Sequence, residues 1–455
     1  MNGIKRFKVE TKELSARERL LLEKLILAAK LIAPLYLKQK NDKYPGANFY
    51  PPDAAREEIE KAAGKNPAIL SPYTFVERNK FGKLIAVSFH QKFEKKLKRI
   101  SKILKETASL SQDKNLKAYL KSRAEDLLTD NYDKSNILWL KTEHSRIGCV
   151  IGPFDRYLDK LFFKKRAYMA WVGILDEKQT KSAEKFKSMI LVSERKFLPG
   201  AKKAKIPSIK VRIEDTIIHS GMIADFVFVG NNLPSSADIY LIKKYGTLFT
   251  VFKPTMKLRF EKGIFPIFKA IFGESIRKNY SEKELYSAHV RSIILHEICH
   301  SLMRYEDTTV RLQELFPFFD ELYTDILGIK GCALLLLKDA LTQKELETLL
   351  VILICRHLFW LHLFDKNPII ISYATGAAIS LNFLLKGKAI KKKRGFFIPD
   401  FQKLFICVDQ LSHLLEYYIS IGNHNEAKEF IKEYGSFRVF QEYFLPKLSK
   451  IPQKI

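Results

Sequence analysis

Cysteine is scarce in this chain and is never paired in sequence. The five cysteines among the 455 residues are Cys149, Cys299, Cys332, Cys355 and Cys407, and no two of them form a CxxC motif. An odd number of scattered cysteines excludes a disulfide framework as the basis of the fold. The N-terminus also lacks the apolar core of a secretory signal. The sequence therefore predicts a reduced, cytoplasmic protein.

Several catalytic and membrane signatures are also missing. No Walker loop and no GxGxxG motif occurs, so nucleotide use has no support. No serine lies in a GxSxG elbow, so serine-hydrolase chemistry has none either. The most hydrophobic stretch, residues 346–364, is interrupted by Glu347, Arg356, His357 and His362. It predicts a buried helix, and we expect no membrane partner.

Acidic residues are few relative to basic ones. The chain has 78 Lys and Arg against 50 Asp and Glu, a formal net charge of +28. Such a balance can indicate nucleic acid or an anionic surface as a partner. The excess is mostly lysine, and its densest clusters, residues 95–99, 164–166 and 391–394, are not interleaved with aromatic residues. We therefore favour a solvated basic surface without a nucleic-acid partner. If any cluster does bind nucleic acid, residues 391–394 are the first to test.

What the chain does contain is enough apolar material for large cores. Apolar residues make up 47% of the sequence and aromatic residues 12%, which is typical of a well-packed globular protein. Hydrophobic periodicity predicts helices at 11–40, 54–63, 92–109 and 114–128, with Asp53 as the N-cap of the second. It predicts a hairpin at 72–90 and strands at 147–154, 167–175 and within 206–260, where turns are expected at 230–232 and 245–246. From about residue 281 onward the pattern is almost entirely helical.

These patterns predict the fold class. We expect an α/β (α+β) protein of two lobes with a cleft between them. A mixed α/β lobe would comprise about residues 1–270, and a mainly helical lobe about residues 271–455. Such a cleft is a common place for a peptide site.

The motif with the most chemical content is His296-Glu297-Ile298-Cys299-His300, the HExxH pattern of zinc hydrolases. A helix puts residues four apart on the same face. Both imidazoles can therefore bind one metal ion, with Glu297 beside it as the general base. One zinc ion per chain is the chemical preference, although such sites also accept cobalt or manganese.

A second motif follows on the next predicted helix. Glu321 lies 21 residues after His300, and Asp325 lies one turn further on. Glu321 can supply a third ligand and leave the fourth position open for water. Asp325 can accept the outer N–H of a ligating imidazole, which fixes its tautomer. The competing interpretation is a structural helix whose charged residues lie on its solvent-exposed face. The order and spacing of the two motifs favour a metal site instead.

The two motifs belong to a longer series that resembles the dipeptidyl peptidase III family. The resemblance is strongest to its shorter bacterial and plant relatives, some of which are attached to Nudix domains; no Nudix signature is present here. The matching stretches run in the family's order over roughly residues 45–435. They are residues 48–59, 151–162, 232–234, the HExxH helix, 312–316 with 320–321 and, more weakly, 376–385.

The resemblance implies a two-lobed zinc metallopeptidase that cleaves short peptides, with the metal on the helical lobe. His296, His300 and Glu321 match the family's zinc ligands, and Glu297 matches its general base. Tyr157 falls where the family has a tyrosine that stabilises the oxyanion. Asn232 falls where the other lobe contacts the substrate backbone.

The sequence also departs from the family. Dipeptidyl peptidase III itself has one more residue between its histidines, whereas this chain has HExxH, as the shorter relatives do. Ser235 stands in place of a substrate-contacting asparagine, and Met169 in place of a glutamate. Tyr373 stands in place of a histidine thought to assist at the transition state. A phenol can donate a hydrogen bond but cannot act as an imidazolium. The zinc-binding residues and the base are retained, so the resemblance predicts hydrolysis. The substrate-contacting residues differ, so it does not fix the release of dipeptides as the specificity.

Three functional hypotheses remain open. The leading one is a zinc peptidase that acts on short peptides. The second is a zinc hydrolase of the same fold that acts on a non-peptide amide or ester, because a fold does not fix its substrate. The third is a non-catalytic zinc protein whose basic surface binds an acidic partner or nucleic acid. The presence of Glu297 argues against the third, because a non-catalytic zinc site needs no base.

Overall fold

The computed structural model describes residues 3–194, 208–226, 228–235, 238–302, 308–364 and 370–452. The chain divides into two compact units. One holds the described residues of Met1–Thr180 and Pro207–Thr255, and the other those of Lys181–Ile206 and Met256–Ile455. The boundary expected between residues 270 and 271 stays a prediction of domain organisation. By contacts, the second unit takes in the segment that starts at Lys181 and resumes at Met256.

Ten strands lie within the described residues: β1 Ile4–Arg6, β2 Thr74–Arg78, β3 Leu84–Ser88, β4 Ile147–Asp155, β5 Ala167–Leu175, β6 Ile209–Gly221, β7 Gly230–Leu233, β8 Thr247–Phe252, β9 Ile390–Lys393 and β10 Phe396–Pro399. The helices of the first half are α1 Ala16–Lys30, α2 Ala33–Gln39, α3 Arg56–Lys65, α4 Phe89–Lys92, α5 Glu94–Leu110, α6 Lys114–Asp126, α7 Asp133–Trp139, α8 Glu177–Glu194, α9 Met222–Phe226 and α10 Ile239–Tyr245. Those of the second half are α11 Lys253–Arg259, α12 Phe265–Ile271, α13 Glu274–Arg277, α14 Glu282–Leu302, α15 Thr308–Leu312, α16 Phe316–Leu337, α17 Gln343–Phe364, α18 Ile371–Lys386, α19 Phe401–Ser420, α20 His424–Tyr434 and α21 Arg438–Tyr443.

The first unit is built on a sheet of six strands in the order β4-β5-β6-β8-β7, with β1 also paired to β6. The β6–β8 pair is parallel and the other pairs are antiparallel. Strands β4 and β5 are buried over most of their length, as their apolar and β-branched residues predict. Helices α1 and α2 pack against β5 and β6, and α5 packs against α1 and α6.

Capping bonds explain where several helices begin. Ser15 and Glu18 form a reciprocal capping box at the start of α1. The prediction that Asp53 caps the helix after it is wrong: Ala55 occupies the cap position of α3 and makes no side-chain bond. The Asp53 carboxylate instead accepts a hydrogen bond from Arg78 Nε at 2.6 Å. Asp53 thus binds an arginine of the hairpin β2–β3 and not the backbone of α3.

The second unit is mainly helical. Helices α14, α16, α17 and α18 pack on one another, and α19 packs on α16. Among the described helices, α17 is long and apolar enough to cross a membrane, yet 83% of its most hydrophobic window is buried inside the protein. It is therefore a buried helix, as predicted from its charged interruptions. The two units together confirm the predicted mixed α/β fold class.

Two details of the secondary structure go beyond or against the sequence patterns. The C-terminal half is almost entirely helical, as expected, but β9 and β10 add an antiparallel hairpin that the patterns did not predict. Arg394 and Gly395 turn this hairpin with φ values of 51° and 77°, which a helix cannot accommodate. The basic block 391–394 therefore lies on an exposed strand and its turn. The turn expected near Gly230 is instead the strand β7, which pairs with β8.

Candidate metal centre

The HExxH motif occupies the last two turns of α14. Ser281 and Glu284 start this helix with reciprocal hydrogen bonds, from Ser281 N to Glu284 Oε2 (2.7 Å) and from Glu284 N to Ser281 Oγ (3.3 Å). His296 is buried and His300 is half-buried. Their Nε2 atoms lie 3.1 Å apart, so the helical spacing brings the two imidazoles together as expected.

Helix α16 brings a carboxylate to the same point. Glu321 Oε2 lies 3.2 Å from His296 Nε2 and 3.7 Å from His300 Nε2. The candidate ligand atoms of these three residues all lie within 4.8 Å of one another. Two imidazoles and a carboxylate are the donor set of many catalytic zinc sites.

Two further observations fit a metal ion at this point. Glu321 Oε2 is buried and makes no hydrogen bond of normal geometry within the described part of the chain. His296 Nδ1 lies 2.9 Å from a carboxylate oxygen of Asp325 and is the natural place for the imidazole proton. A neutral His296 then presents a lone pair at Nε2, next to the lone pairs of Glu321. A cation satisfies converging lone pairs of this kind, and we judge that the residues fit zinc.

Asp325 joins several side chains behind His296. Its Oδ1 atom lies 2.9 Å from His296 Nδ1 and 3.0 Å from an Arg356 guanidinium nitrogen. Its Oδ2 atom lies 3.3 Å from His357 Nε2. Burial raises the pKa of the Asp325 carboxyl, but Arg356 and His296 outweigh that effect and hold the pKa well below its usual range. Asp325 is therefore ionised and able to orient His296.

The other histidine has a similar arrangement, which the sequence analysis did not identify. His300 Nδ1 lies 3.5 Å from Asp320 Oδ2, on the side of the ring away from the cluster. Beside the first histidine, His296, Thr324 Oγ1 lies 2.9 Å from the ring Nδ1 and donates a hydrogen bond to the Glu321 carbonyl at 2.7 Å. One helix, α16, thus provides a candidate ligand and a carboxylate behind each histidine. The adjacency of Asp320 to Glu321 was the available signal in the sequence.

The electrostatic field of the cluster favours a cation. Burial alone lowers the pKa of His296, but Asp325 and Glu321 outweigh it and raise the pKa to about 10. Burial also lowers the pKa of His300, and Asp320 is the main group that raises it to about 9. Imidazoles hold protons this firmly only where negative charge surrounds them. The same carboxylates would stabilise a divalent cation at this point.

Glu297 lies between the two histidines in sequence and is half-buried. Burial raises the pKa of its carboxyl, while the nearby His296 and His300 lower it and Glu321 raises it further; the net shift is upward. A carboxylate with a raised pKa is a better proton acceptor than one in water. Its surroundings therefore suit a general base.

Tyr373 also belongs to the helical unit, near the start of α18. Its ring packs on Trp360 of α17, with centroids 4.5 Å apart. The Arg259 guanidinium lies 5.5 Å from the centre of the Trp360 ring. These contacts fix the phenol on a rigid aromatic surface. The role of Tyr373 in the reaction stays a prediction.

The remaining predicted positions lie in the first unit. Tyr157 follows β4 in a turn, half-buried, with Phe163 and Phe228 at ring distances of 6.1 and 6.0 Å. Asn232 lies on β7, where its side-chain oxygen accepts a weak hydrogen bond from Thr247 Oγ1 at 3.4 Å. Ser235 follows β7 and is half-buried, whereas Met169 is fully buried in β5. Met169 therefore packs in the core, and the roles of the other three stay predictions.

A glycine on α16 sets how closely this helix approaches the HExxH helix. A Cβ at Gly328 would lie 3.0 Å from Leu295 Cβ, next to His296. We expect Gly328→Ala to push the two helices apart and to lower the free energy of unfolding by about 1–3 kcal/mol. The matched control is Gly64→Ala in α3, where a Cβ meets nothing within 4 Å. That change should stabilise the protein by up to about 1 kcal/mol. Denaturant unfolding that shifts in the same direction for both variants would refute this packing argument.

The fold and the site define a class: a mixed α/β protein whose helical unit holds an HExxH helix beside a second helix that carries a candidate ligand, Glu321. No known family model matches the chain. Among curated proteins it is similar to Nudix hydrolase 3 of Arabidopsis thaliana, with 25% identity over 431 residues, which cover 86% of this chain and 54% of that protein. The chain thus spans about half the length of this curated relative.

Solved structures define the fold more closely. Dipeptidyl peptidase III from Caldithrix abyssi superposes with a TM-score of 0.89 at 22% identity, covering 98% of this chain and 95% of that one. Dipeptidyl-peptidase III from Corallococcus sp. strain EGB gives a TM-score of 0.85 at 24% identity, covering 98% and 93%. The chain has the dipeptidyl peptidase III fold. This finding confirms the resemblance predicted from the ordered sequence motifs.

Proposed function

We propose that this protein is a zinc-dependent metallopeptidase that hydrolyses short peptides. The observation that carries the proposal is the convergence of His296, His300 and Glu321, whose ligand atoms lie within 4.8 Å of one another. The Asp325 carboxylate contacts Nδ1 of His296, the ring nitrogen that faces away from the cluster. Glu297 lies on the same helix as the two histidines. The dipeptidyl peptidase III fold supports a peptide as the substrate.

In the proposed reaction, zinc and the side chains of the protein have separate roles. Bound zinc supplies Lewis-acid chemistry, which lowers the pKa of water and polarises a carbonyl group. Glu297 accepts the proton of the attacking water and returns it to the leaving amine. Asp325 keeps His296 in the tautomer that presents Nε2 to the metal. Tyr157 donates its phenolic hydrogen to the carbonyl oxygen as negative charge develops there.

The substrate groups of the chain differ from those of the family at two places. Asn232 would contact the substrate backbone, while Ser235 offers a hydroxyl and Tyr373 a phenol in place of an amide and an imidazole. Each substitution keeps a hydrogen-bond donor but changes its reach or charge. We therefore propose short peptides as the substrate class and leave the number of residues released to experiment. All five cysteines are buried and none of them forms a disulfide, which supports the proposed cytoplasmic location.

The proposed role of Tyr157 gives a testable prediction. Replacing it with Phe should lower kcat by about 100-fold and change KM little, because a lost oxyanion donor weakens the transition state more than the bound substrate. Tyr240→Phe is the matched control, since Tyr240 is an exposed tyrosine of the same unit. Steady-state kinetics on one peptide would decide. Equal rates for wild type and Tyr157→Phe would remove this residue from the mechanism.

The proposed function is tested by incubating the zinc-loaded protein with a mixed library of peptides three to ten residues long and measuring the products by mass spectrometry. A parallel library with acetylated N-termini shows whether a free amine is required. We expect cleavage of short free peptides, and the fragment lengths report the number of residues released. Absence of cleavage, with zinc bound, would reject a peptidase and favour a non-peptide amide or ester or a protein without turnover.

A further inference from the structure

A third helix, α17, reaches the metal centre although it carries neither zinc motif. Arg356 on this helix is buried, and its Nη1 atom lies 3.0 Å from Asp325 Oδ1 on α16. The same nitrogen lies 3.3 Å from the Ser292 carbonyl on α14, one turn before His296. A single guanidinium nitrogen thus contacts both helices that supply the candidate ligands.

The residue next to Arg356 contacts the other oxygen of the same carboxylate. His357 is buried, and its Nε2 atom lies 3.3 Å from Asp325 Oδ2. Three groups therefore surround Asp325: His296 and Arg356 at Oδ1, and His357 at Oδ2. A carboxylate contacted at both oxygens cannot rotate without breaking at least one of these interactions.

We propose that Arg356 is a positioning residue of the metal centre, which holds Asp325 in place and through it the imidazole of His296. The proposal rests on the proposed function, in that His296 must be a zinc ligand. His357 assists by fixing the second carboxylate oxygen. Arg356 is not one of the three converging ligand residues. We therefore expect it to act on the metal centre mainly through Asp325, with its contact to the Ser292 carbonyl as a lesser hold on the HExxH helix.

Arginine suits this position for a geometric reason. Its planar guanidinium offers several N–H donors in a fixed arrangement and can hold a carboxylate and a carbonyl at once. Lysine carries the same charge but is a point donor on a flexible stem. An Arg356→Lys variant therefore keeps the charge beside Asp325 while losing the fixed geometry. It is also less disruptive than an apolar replacement, which would leave the buried carboxylate without its cation.

The test is a double-mutant cycle on the full chain, with zinc affinity measured by competition with a chromophoric chelator. We expect Arg356→Lys to weaken zinc binding about tenfold, at the lower end of the 10–100-fold that outer partners of zinc ligands contribute. In an Asp325→Asn background the same change should cost less than about threefold, because residues in one network are not additive. An equal loss in both backgrounds, or none in either, would overturn the proposal.

Arg291 provides a matched control on the same pair of helices. It lies on α14 and forms a half-exposed ion pair with Glu345 of α17 at 2.5 Å. Arg291→Lys should leave zinc affinity unchanged. A loss as large as that of Arg356→Lys would mean that general loosening of the helices, and not the hold on Asp325, is responsible, and would overturn the proposal.

A second readout covers the case in which the Asp325→Asn variant does not fold. The visible absorption of the cobalt-substituted protein reports ligand geometry directly. We expect Arg356→Lys to shift or broaden this spectrum, His357→Gln to preserve it because the amide can replace the Nε2 donor, and Arg291→Lys to match wild type. An unaltered spectrum for Arg356→Lys would overturn the proposal. Failure of the wild type to bind either metal would instead reject the proposed function itself.

Discussion

Replacing Glu297 with Gln should leave metal binding intact and lower kcat by about 10²–10⁴-fold, the range that a positioned general base contributes. The amide has nearly the shape of the carboxylate but cannot accept a proton from water. Since Glu297 is not one of the three converging ligand residues, the metal should stay in place. The measurement is zinc content per chain together with steady-state hydrolysis of one peptide.

The control for this prediction is Glu282→Gln, the same chemical change at an exposed position in the first turn of the same helix. It should hydrolyse the peptide at the wild-type rate. A Glu297→Gln variant that binds zinc and keeps more than a tenth of the wild-type kcat would place the base elsewhere. Loss of zinc from this variant would show that Glu297 supports the metal and is not only a base.

The second large effect is expected at the third ligand. Glu321→Gln should weaken zinc binding by more than about 100-fold, because removal of an outer partner alone costs 10–100-fold and a direct ligand contributes more. The neutral amide also removes a negative charge from a cluster that raises the pKa of both histidines. Competition with a chelator of known zinc affinity measures this loss.

Glu314→Gln serves as the control for Glu321, because Glu314 is an exposed glutamate just before the same helix and lies outside the candidate metal cluster, in a surface ion pair with His424. Its zinc affinity should equal that of the wild type. Wild-type affinity in Glu321→Gln would contradict the ligand assignment and would leave Asp320, 3.5 Å from His300, as the carboxylate to test next.

Sequence patterns were sufficient where local periodicity determines the structure. The HExxH spacing puts His296 and His300 on one face of a helix, and the ExxxD spacing does the same for Glu321 and Asp325. Alternation and apolar runs likewise predicted the hairpin β2–β3 and the strands β4 and β5. Each of these features depends only on residues a few positions apart. The predicted mixed α/β class followed from the order of such segments.

The features that sequence missed depend on contacts between distant segments. His357 lies 32 residues after Asp325 on another helix, and its contact with that carboxylate exists only because α17 packs against α14 and α16. Asp53 is not the cap of α3, which begins at Arg56, and its carboxylate binds Arg78, 25 residues later. The hairpin β9–β10 requires two residues with positive φ, Arg394 and Gly395, and only the glycine signals this in the sequence.

The most direct measurement is a zinc titration of the metal-free protein during hydrolysis of a short peptide. If His296, His300 and Glu321 form one catalytic site, activity rises in proportion to added zinc and stops rising at one ion per chain. The histidine variants His296→Ala and His300→Ala should give no rise at the same zinc concentrations. Hydrolysis that is independent of zinc, or a protein that binds one zinc per chain and cleaves no peptide, would contradict the proposed metallopeptidase.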